Sequence, residues 1–230
     1  MPAFLFTSLV LFLLWLSFLL FSDKTRREQI IMSIVGLLLT PGIILIVSND
    51  FRTSLSNGSL SIGIEDLLFT FALFGIASVV YQILLGQHTH KLKGTRLHMG
   101  HPVLHWFVHL VLILGIWAFL SLLFIDIFEL ASIRALIIGG LLVGTYIIAD
   151  RHDLLFDALL TGLLTAMLVF VVEQIFFVRL FPDAVQGFWQ FDAIRSFLIG
   201  GIPLEEILWS AVVGFTIGPM YEYLKRYRLS

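Results

Sequence analysis

The chain has no cysteine and few charged residues, and both shortages limit its chemistry. Without cysteine it cannot form disulfides, use a thiol nucleophile, or bind iron–sulfur clusters or zinc through thiolates. Charged residues make up 13% of its 230 positions, against about 25% in soluble domains. Apolar residues make up 59%, and the mean hydropathy is +1.00. This composition excludes a soluble enzyme, a disordered chain and a nucleic-acid binder, and it indicates a polytopic helical membrane protein.

Several apolar segments are long enough to cross a bilayer, which takes about 20 residues. The first has neither the basic start nor the cleavage site of a signal peptide, so it is expected to be a true span. Gly200, Gly201 and Pro203 are expected to delay the last helix until near Pro203. The predicted fold is an all-α bundle of about seven transmembrane helices, near 3–22, 29–48, 60–86, 102–125, 131–149, 154–178 and 196–224.

The placement of lysine and arginine predicts the orientation of this bundle. With the N-terminus outside, ten of the 14 basic residues fall in cytoplasmic loops or the C-terminal tail, and four fall in outer loops. We therefore expect a multi-pass cell-membrane protein with an external N-terminus and a cytoplasmic C-terminus.

Two segments align without gaps at an offset of 140 residues, SIGIEDLLFTFALFGIASVVYQIL (61–84) and GIPLEEILWSAVVGFTIGPMYEYL (201–224). Each contains an acidic pair, a leucine, an aromatic residue, a hydroxyl residue and a distant tyrosine. The alignment predicts two three-helix repeats, 1–86 and 129–230, joined by a cytoplasmic loop and a linking helix in 87–128. A single linking helix gives both repeats the same orientation, so they are expected to be parallel, with a pseudo-two-fold axis along the membrane normal.

Each repeat places two acidic residues at the start of an apolar segment. A carboxylate in lipid costs several kcal/mol unless it is paired, solvated or protonated, so clustered carboxyl groups are suited to exchange protons. The first acid of each pair has an aromatic residue one turn later, which can stabilise a cation, and the second has a hydroxyl group that can orient it. The alternative is that the acids cap their helices near the outer interface. The candidate catalytic residues are Glu65, Asp66, Glu173, Glu205 and Glu206, and the candidate substrate-binding residues are Phe69, Thr70, Trp209 and Ser210.

The segment GIPLEEILW (201–209) resembles the Pro-x-Glu-Glu signature of the flavin-independent membrane lycopene cyclases. These enzymes occur as two three-span subunits or as fused chains, and the two acidic repeats here resemble a fused chain. The resemblance implies that Glu205 and Glu206 are the key carboxylates of the second half, with Glu65 and Asp66 as their counterparts. It also implies a proton-initiated cyclisation of a linear polyene such as lycopene, without net redox change or cofactor. The first pair departs from the signature because Gly63 stands where the signature has proline.

Six of the seven histidines lie between positions 88 and 109, and some are spaced to share one helix face. Two histidines four residues apart can share a metal ion. His101 and His105, with Asp153 or Asp157, are therefore weak candidates for a metal site on the cytoplasmic side. Histidines that pack between helices at the interface are the alternative interpretation, and the sequence favours it.

Three other functions compete with a membrane isomerase. The same carboxylates can serve an ion- or proton-coupled transporter, the histidines a metal-dependent membrane enzyme, and the whole bundle a non-catalytic scaffold. A prenyl-endopeptidase type of protease is disfavoured because its signature needs arginine at the position of Trp209 or Ser210. The expected partners are the lipid bilayer and a hydrophobic polyene or isoprenoid substrate, with no nucleic acid; a homo-oligomer is compatible with the sequence.

Overall fold

Six long apolar helices dominate the structure, a computed structural model that describes residues 2–48, 50–52, 55–56, 59–60, 62–86, 89–91, 102–191 and 197–229. Each is long enough to cross a hydrocarbon layer of about 30 Å at 1.5 Å per residue. The chain is therefore a helical multi-pass membrane protein. The six helices are α1 (Pro2–Phe21), α2 (Arg26–Val47), α3 (Ile64–Leu85), α4 (Pro102–Phe128), α5 (Ser132–Asp150) and α6 (Leu155–Glu173).

The last apolar segment differs from the single long span that its length predicts. A tight turn through Gly200 and Gly201, both with positive φ, separates strand β4 (Leu198–Ile199) from β5 (Ile202–Pro203). Helix α8 (Leu204–Ile217) then begins directly after Pro203, as expected from the glycines and the proline. It ends at Gly218, and α9 (Met220–Lys225) follows Pro219. With 14 residues, α8 is too short to span the bilayer alone, so the described residues contain six long spanning helices, and the seventh predicted span is divided into two shorter helices.

Short elements connect the long helices. A 3₁₀ turn (His152–Leu154) precedes α6, and a π-helical segment (Gln174–Leu180) continues it. Helix α7 (Asp183–Phe188) follows. The remaining strands form two antiparallel pairs, β1 (Leu55–Ser56) with β2 (Ser59–Leu60) and β3 (Thr89–Lys91) with β6 (Tyr227–Leu229).

Helices α3 and α8 form the centre of the bundle. Helix α3 packs against α1, α2, α6 and α8, while α8 packs also against α5 and α6. Two glycines illustrate how closely the helices approach each other. A Cβ on Gly36 of α2 would lie 2.6 Å from the Thr70 carbonyl oxygen of α3, and one on Gly162 of α6 would lie 2.9 Å from the Ala211 carbonyl oxygen of α8. The contact of α2 with α3 in the first half and that of α6 with α8 in the second half therefore each include a glycine.

Helix α4 lies at the edge of the bundle and packs mainly on α5. Its Trp117 indole donates to the carbonyl of Leu136 at 2.9 Å, and a Cβ on Gly140 would collide with the indole ring. The other face of α4 exposes large apolar side chains, including Phe107, Ile116 and Phe119. An exposed apolar face of this kind is suited to contact lipid tails.

A buried polar cluster, the axial cluster, lies at the C-terminal end of α3, about 24 Å along the helix from Asp66. It consists of Glu28, Gln82, Asp157 and Glu222, all at most 4% exposed. The Gln82 amide donates to Glu28 at 3.0 Å and also to Glu222, the residue aligned with it at an offset of 140. Strands β3 and β6 pair Thr89 with Leu229, again 140 apart. Aligned positions of the two halves therefore face each other at this end of the bundle.

Candidate active site

The acidic pair of the first half lies in the first turn of α3, directly after Gly63. The Gly63 amide donates to Asp66 Oδ2 at 2.8 Å, so Asp66 caps its own helix. The Glu65 carboxylate folds back towards Gly63, and a Cβ at position 63 would lie 2.5 Å from its oxygen atoms. A side chain here requires Glu65 to move, and a proline also lacks the amide hydrogen that Asp66 accepts, which gives a physical reason for the departure from the Pro-x-Glu-Glu pattern.

Asp66 is paired with Arg52, which follows α2. Arg52 Nη1 lies 2.6 Å from Asp66 Oδ1, and both side chains are largely buried, at 14% and 5% exposed. The guanidinium carbon lies 3.9 Å from the ring centre of Phe4 and 4.2 Å from that of Phe188, and the two ring centres are 4.9 Å apart, so two adjacent aromatic rings contact the cation. Burial lowers the pKa of Arg52 from its ordinary value, while the charges of Asp66 and Glu206 oppose that shift. An arginine remains charged under such conditions.

The acidic pair of the second half lies in the first turn of α8, and its two carboxylates take different partners. Glu206 Oε2 accepts a hydrogen bond from the Trp189 indole at 3.2 Å. Glu205 Oε1 accepts from Nη2 of Arg134 at 2.9 Å, and this arginine is about half exposed. Successive residues on a helix point about 100° apart, so Glu206 faces the interior and Glu205 faces the start of α5.

The fifth candidate carboxylate, Glu173, is fully buried at the last residue of α6, where the π-helical segment begins. Within the described part of the chain neither of its oxygen atoms has a hydrogen-bond partner. It interacts electrostatically with Glu206 and Arg52. Such π segments are frequent at functional sites because they shift the register of a helix face. The structure thus brings Asp66, Glu173 and Glu206 together around Arg52.

Arg52, Asp66 and Glu206 line a small cavity between the N-terminal ends of α3 and α8, and Glu173 lies behind its wall. Its volume of about 40 Å³ holds a few water molecules at about 10–15 Å³ each and is well below the roughly 300 Å³ of a typical small-molecule pocket. A larger ligand enters only if the walls separate. The lining residues are Phe4, Ile43, Ile44, Val47, Phe51, Arg52, Asp66, Phe69, Thr70, Ile133, Phe188, Glu206 and Trp209.

The residues around α7 close one side of this cavity. Phe188 and Trp189 are buried, and Trp189 forms an isolated bridge with Arg52. The Gln190 backbone amide donates to the Phe51 carbonyl at 3.0 Å, which joins this segment to the loop after α2. The cavity is therefore closed by contacts between residues of the first half and residues of the second.

The four candidate substrate-binding residues divide between the cavity and the helix contacts. Phe69, Trp209 and Thr70 line the cavity. The Thr70 hydroxyl donates to the backbone carbonyl of Asp66 and pairs with the Thr40 hydroxyl, so it does not contact the Asp66 carboxylate. The buried Ser210 hydroxyl has no hydrogen-bond partner within the described residues. The two hydroxyl groups therefore do not orient the second acids in this structure.

The candidate metal residues are only partly described. His101 lies outside the described residues, and the side chain of His105 is not described either. Asp153 forms an ion pair with Arg151 at 2.7 Å, and Asp157 accepts from Thr161 at 3.0 Å within the axial cluster. Over the described part of the chain, no three acidic or histidine side chains form a group that could hold a metal ion.

Sequence reasoning missed the partners that organise the site. From the sequence, Arg52 was predicted only to be one of the four basic residues in outer loops, and Trp189 and Phe188 were not candidate site residues. The sequence offered one signal. Arg52 is the basic residue between the predicted spans 29–48 and 60–86, and acidic residues lie near the end of the first span and the start of the second. The axial cluster was missed as well, except for Asp157, although an alignment at an offset of 140 places Gln82 opposite Glu222.

The fold and the site define a class, a polytopic membrane protein with buried carboxylates at a small, aromatic-lined cavity. Residues 130–224 match the family model for lycopene cyclase, so this part of the chain, less than half of its length, is similar to that family. It includes Glu173, Glu205 and Glu206, and the resemblance of residues 201–209 is thereby confirmed. The family is named for a cyclase that acts on the carotenoid lycopene. No curated protein and no solved structure gives a significant match to the chain.

Proposed function

We propose that this chain closes a ring at the end of a linear polyene such as lycopene, in a reaction started by a proton. The observation that carries the proposal is that Asp66 and Glu206 line one small cavity, with the buried Glu173 close enough to interact with Glu206, in a chain that matches the lycopene cyclase family over residues 130–224. Buried carboxyl groups can give and take protons. The apolar and aromatic walls exclude water, which would otherwise trap a carbocation.

The proposed reaction is an isomerisation. A carboxyl group gives its proton to a terminal double bond of the polyene, and the resulting cation is attacked by a neighbouring double bond of the same chain, which forms the ring bond. Loss of a proton from the adjacent carbon to a carboxylate restores a double bond. One proton enters and one leaves, so no net oxidation or reduction occurs and the chemistry requires no redox cofactor.

We assign the proton donor to Glu206 because it faces the cavity and takes only a neutral partner, the Trp189 indole. Glu173 lies close enough to interact with it and is available to exchange protons. Phe69 and Trp209 present aromatic rings that can stabilise the cation. Glu65 and Glu205 are proposed to support the two helix starts rather than to touch the substrate, since Glu205 is bound by Arg134.

The proposal includes the two parallel repeats predicted from sequence, 1–86 and 129–230. Helices α1, α2 and α3 pack among themselves much as α5, α6 and α8 do. The pairing of Gln82 with Glu222 and of Thr89 with Leu229 supports a pseudo-two-fold axis between them. With the N-terminus outside, the candidate active site lies near the outer membrane surface and the axial cluster near the cytoplasm.

The size of the cavity implies how the substrate enters. A polyene end is much larger than about 40 Å³, so the walls must separate to admit it. Because a carotenoid is dissolved in the bilayer, we propose lateral entry between helices rather than entry through the side closed by Phe188 and Trp189. The remainder of the polyene then stays in the lipid.

The test is coexpression of the chain with a lycopene-producing pathway, followed by chromatography of the pigments. Wild type, Glu206→Gln and Glu205→Gln are compared at equal amounts of membrane protein, with Asp153→Asn as a control for an acid distant from the cavity. We expect Glu206→Gln to reduce cyclised product by at least about 100-fold, the usual contribution of general acid catalysis. Glu205→Gln is expected to have a smaller effect, and Asp153→Asn almost none.

Two results contradict the proposal. Unchanged lycopene with well-expressed wild-type protein refutes lycopene as the substrate. Normal cyclisation by Glu206→Gln, alongside active wild type, refutes the assignment of the proton donor. Assays of proton-coupled transport with the same variants then become the next step, because a transporter uses the same carboxylates.

A further inference from the structure

Among the described residues that line the cavity, Arg52 is the one with a positive charge. Several acidic residues surround it, and they differ in how closely their carboxyl groups approach the guanidinium. Asp66 is within 2.6 Å of the guanidinium. Glu206 and Glu65 interact with it only through longer-range electrostatics, as does Glu173. Among the four neighbouring carboxyl groups, Arg52 therefore forms its ion pair with that of Asp66.

The geometry also fixes the guanidinium in place. Phe4 and Phe188 both contact it, at 3.9 and 4.2 Å, and Phe4 comes from α1 while Phe188 comes from α7. These rings already bind a cation, so they are not free to stabilise a second one. Among the lining aromatic residues, Phe69 and Trp209 are not in such a contact with Arg52.

The ion pair between Arg52 and Asp66 limits which carboxyl group can give a proton to the substrate. Asp66 retains its negative charge beside Arg52 because an ionised partner is needed to compensate the buried guanidinium. An acid that must remain ionised is a poor proton donor. The proton for the substrate must then come from a carboxyl group without a cation in contact, and Glu206 is the one that lines the cavity.

We propose that Arg52 is a positioning residue that holds Asp66 as a permanent anion and thereby leaves Glu206 to exchange the proton with the substrate. This inference rests on the proposed cyclase function. It makes the two aligned acids, Asp66 and Glu206, unequal in role although they occupy equivalent positions in the two repeats. It also predicts that Arg52 and Asp66 act as one unit.

The experiment measures kcat and KM for lycopene cyclisation with purified protein in lipid vesicles. The variants are Arg52→Gln, Arg52→Lys, Asp66→Asn and the double variant Arg52→Gln/Asp66→Asn. Elution as a single species on size exclusion, in the amount obtained for wild type, excludes misfolding as the cause of a loss. If the single variants do not pass that check, Arg52→Lys and the double variant are compared, since neither contains an unpaired buried charge at this pair.

We expect Arg52→Gln and Asp66→Asn each to lower kcat by about 100-fold, with KM changed by less than about threefold, because the pair acts on the charged transition state rather than on binding. Arg52→Lys keeps the charge and is expected to stay within about tenfold of wild type. The double variant is expected to lose about 100-fold, no more than either single variant, since groups that act as a unit give non-additive losses.

Each other outcome overturns the inference. If Arg52→Gln loses less than about threefold while wild type is active, Arg52 has no role in the reaction. If Arg52→Lys is as impaired as Arg52→Gln, charge is not what Arg52 supplies. If the double variant loses about 10,000-fold, the two residues act separately. An inactive wild type refutes the proposed function itself, and the inference falls with it.

Discussion

Asp66→Asn is expected to destabilise the protein far more than its small change in shape implies. The substitution keeps an oxygen that can accept from the Gly63 amide, so the helix cap survives. What it removes is the negative charge beside Arg52, whose side chain is 14% exposed. Removing one partner of a buried ion pair costs about 3–5 kcal/mol, because the remaining charge is left without compensation.

Asp153→Asn is the matched control, since it breaks another arginine–aspartate pair of the same length. Arg151 and Asp153 are in contact at 2.7 Å, and Arg151 is 15% exposed, much like Arg52. Asp153 is however 33% exposed, against 5% for Asp66, so water reaches the pair from the side of the aspartate and can replace the lost partner. Exposed pairs contribute about 0–1 kcal/mol. The difference between the two variants should therefore be about 2–5 kcal/mol.

The assay is unfolding by dodecyl sulfate in mixed micelles, followed by tryptophan fluorescence and circular dichroism. The free energy of unfolding is compared for wild type, Asp66→Asn and Asp153→Asn at the same micelle composition. If the two variants lose the same free energy within about 0.5 kcal/mol, the burial of the Arg52–Asp66 pair does not determine its contribution, and the reasoning is refuted.

Three further predictions concern the packing, the axial cluster and the topology. Gly36→Ala should destabilise the α2–α3 contact by about 1–3 kcal/mol in the same assay, because its Cβ meets the Thr70 carbonyl oxygen. Gly42→Ala on the same helix places its Cβ in open space and should not destabilise the protein, so equal effects of the two variants would contradict the packing argument. Glu28→Gln should leave stability unchanged or raise it, because Glu28 Oε1 is buried without a partner among the described residues and the amide carries no charge. A loss of stability above about 1 kcal/mol would show that the charge is required. A green fluorescent protein fused after Ser230 should fluoresce, as cytoplasmic fusions do, and a dark but stable fusion would reverse the predicted orientation.

The starts of the two central helices were predictable because their causes are local. Pro203 restricts the backbone where α8 begins, and Gly63 disfavours continuation of a helix before α3, so the acids that follow fall in the first turn whatever surrounds them. The long apolar segments were predictable for a similar reason, since hydrophobic length alone determines a span. The last span was the exception, because Gly218 and Pro219 divide it.

The organisation of the site could not be read in the same way. Arg52 reaches Asp66 only because the loop after α2 passes over the start of α3, and Trp189 reaches Glu206 only because the residues after α7 fold back into the bundle. These contacts depend on the path of the connections, which carries no periodic signal. The sequence likewise shows Glu28 as one charge in a basic loop, whereas the packing of α2 against α3 buries it.

The contact between Gln82 and Glu222 has a consequence for how such a molecule can be assembled. An amide and a carboxyl group meet where the aligned positions of the halves face each other, so one side supplies the donor and the other the acceptor. Two copies of the second half would bring together two acids that repel when ionised, whereas the amide of the first half can donate to the acid it faces. A single polypeptide favours the pairing of amide with acid, because synthesis delivers one of each half in a fixed ratio.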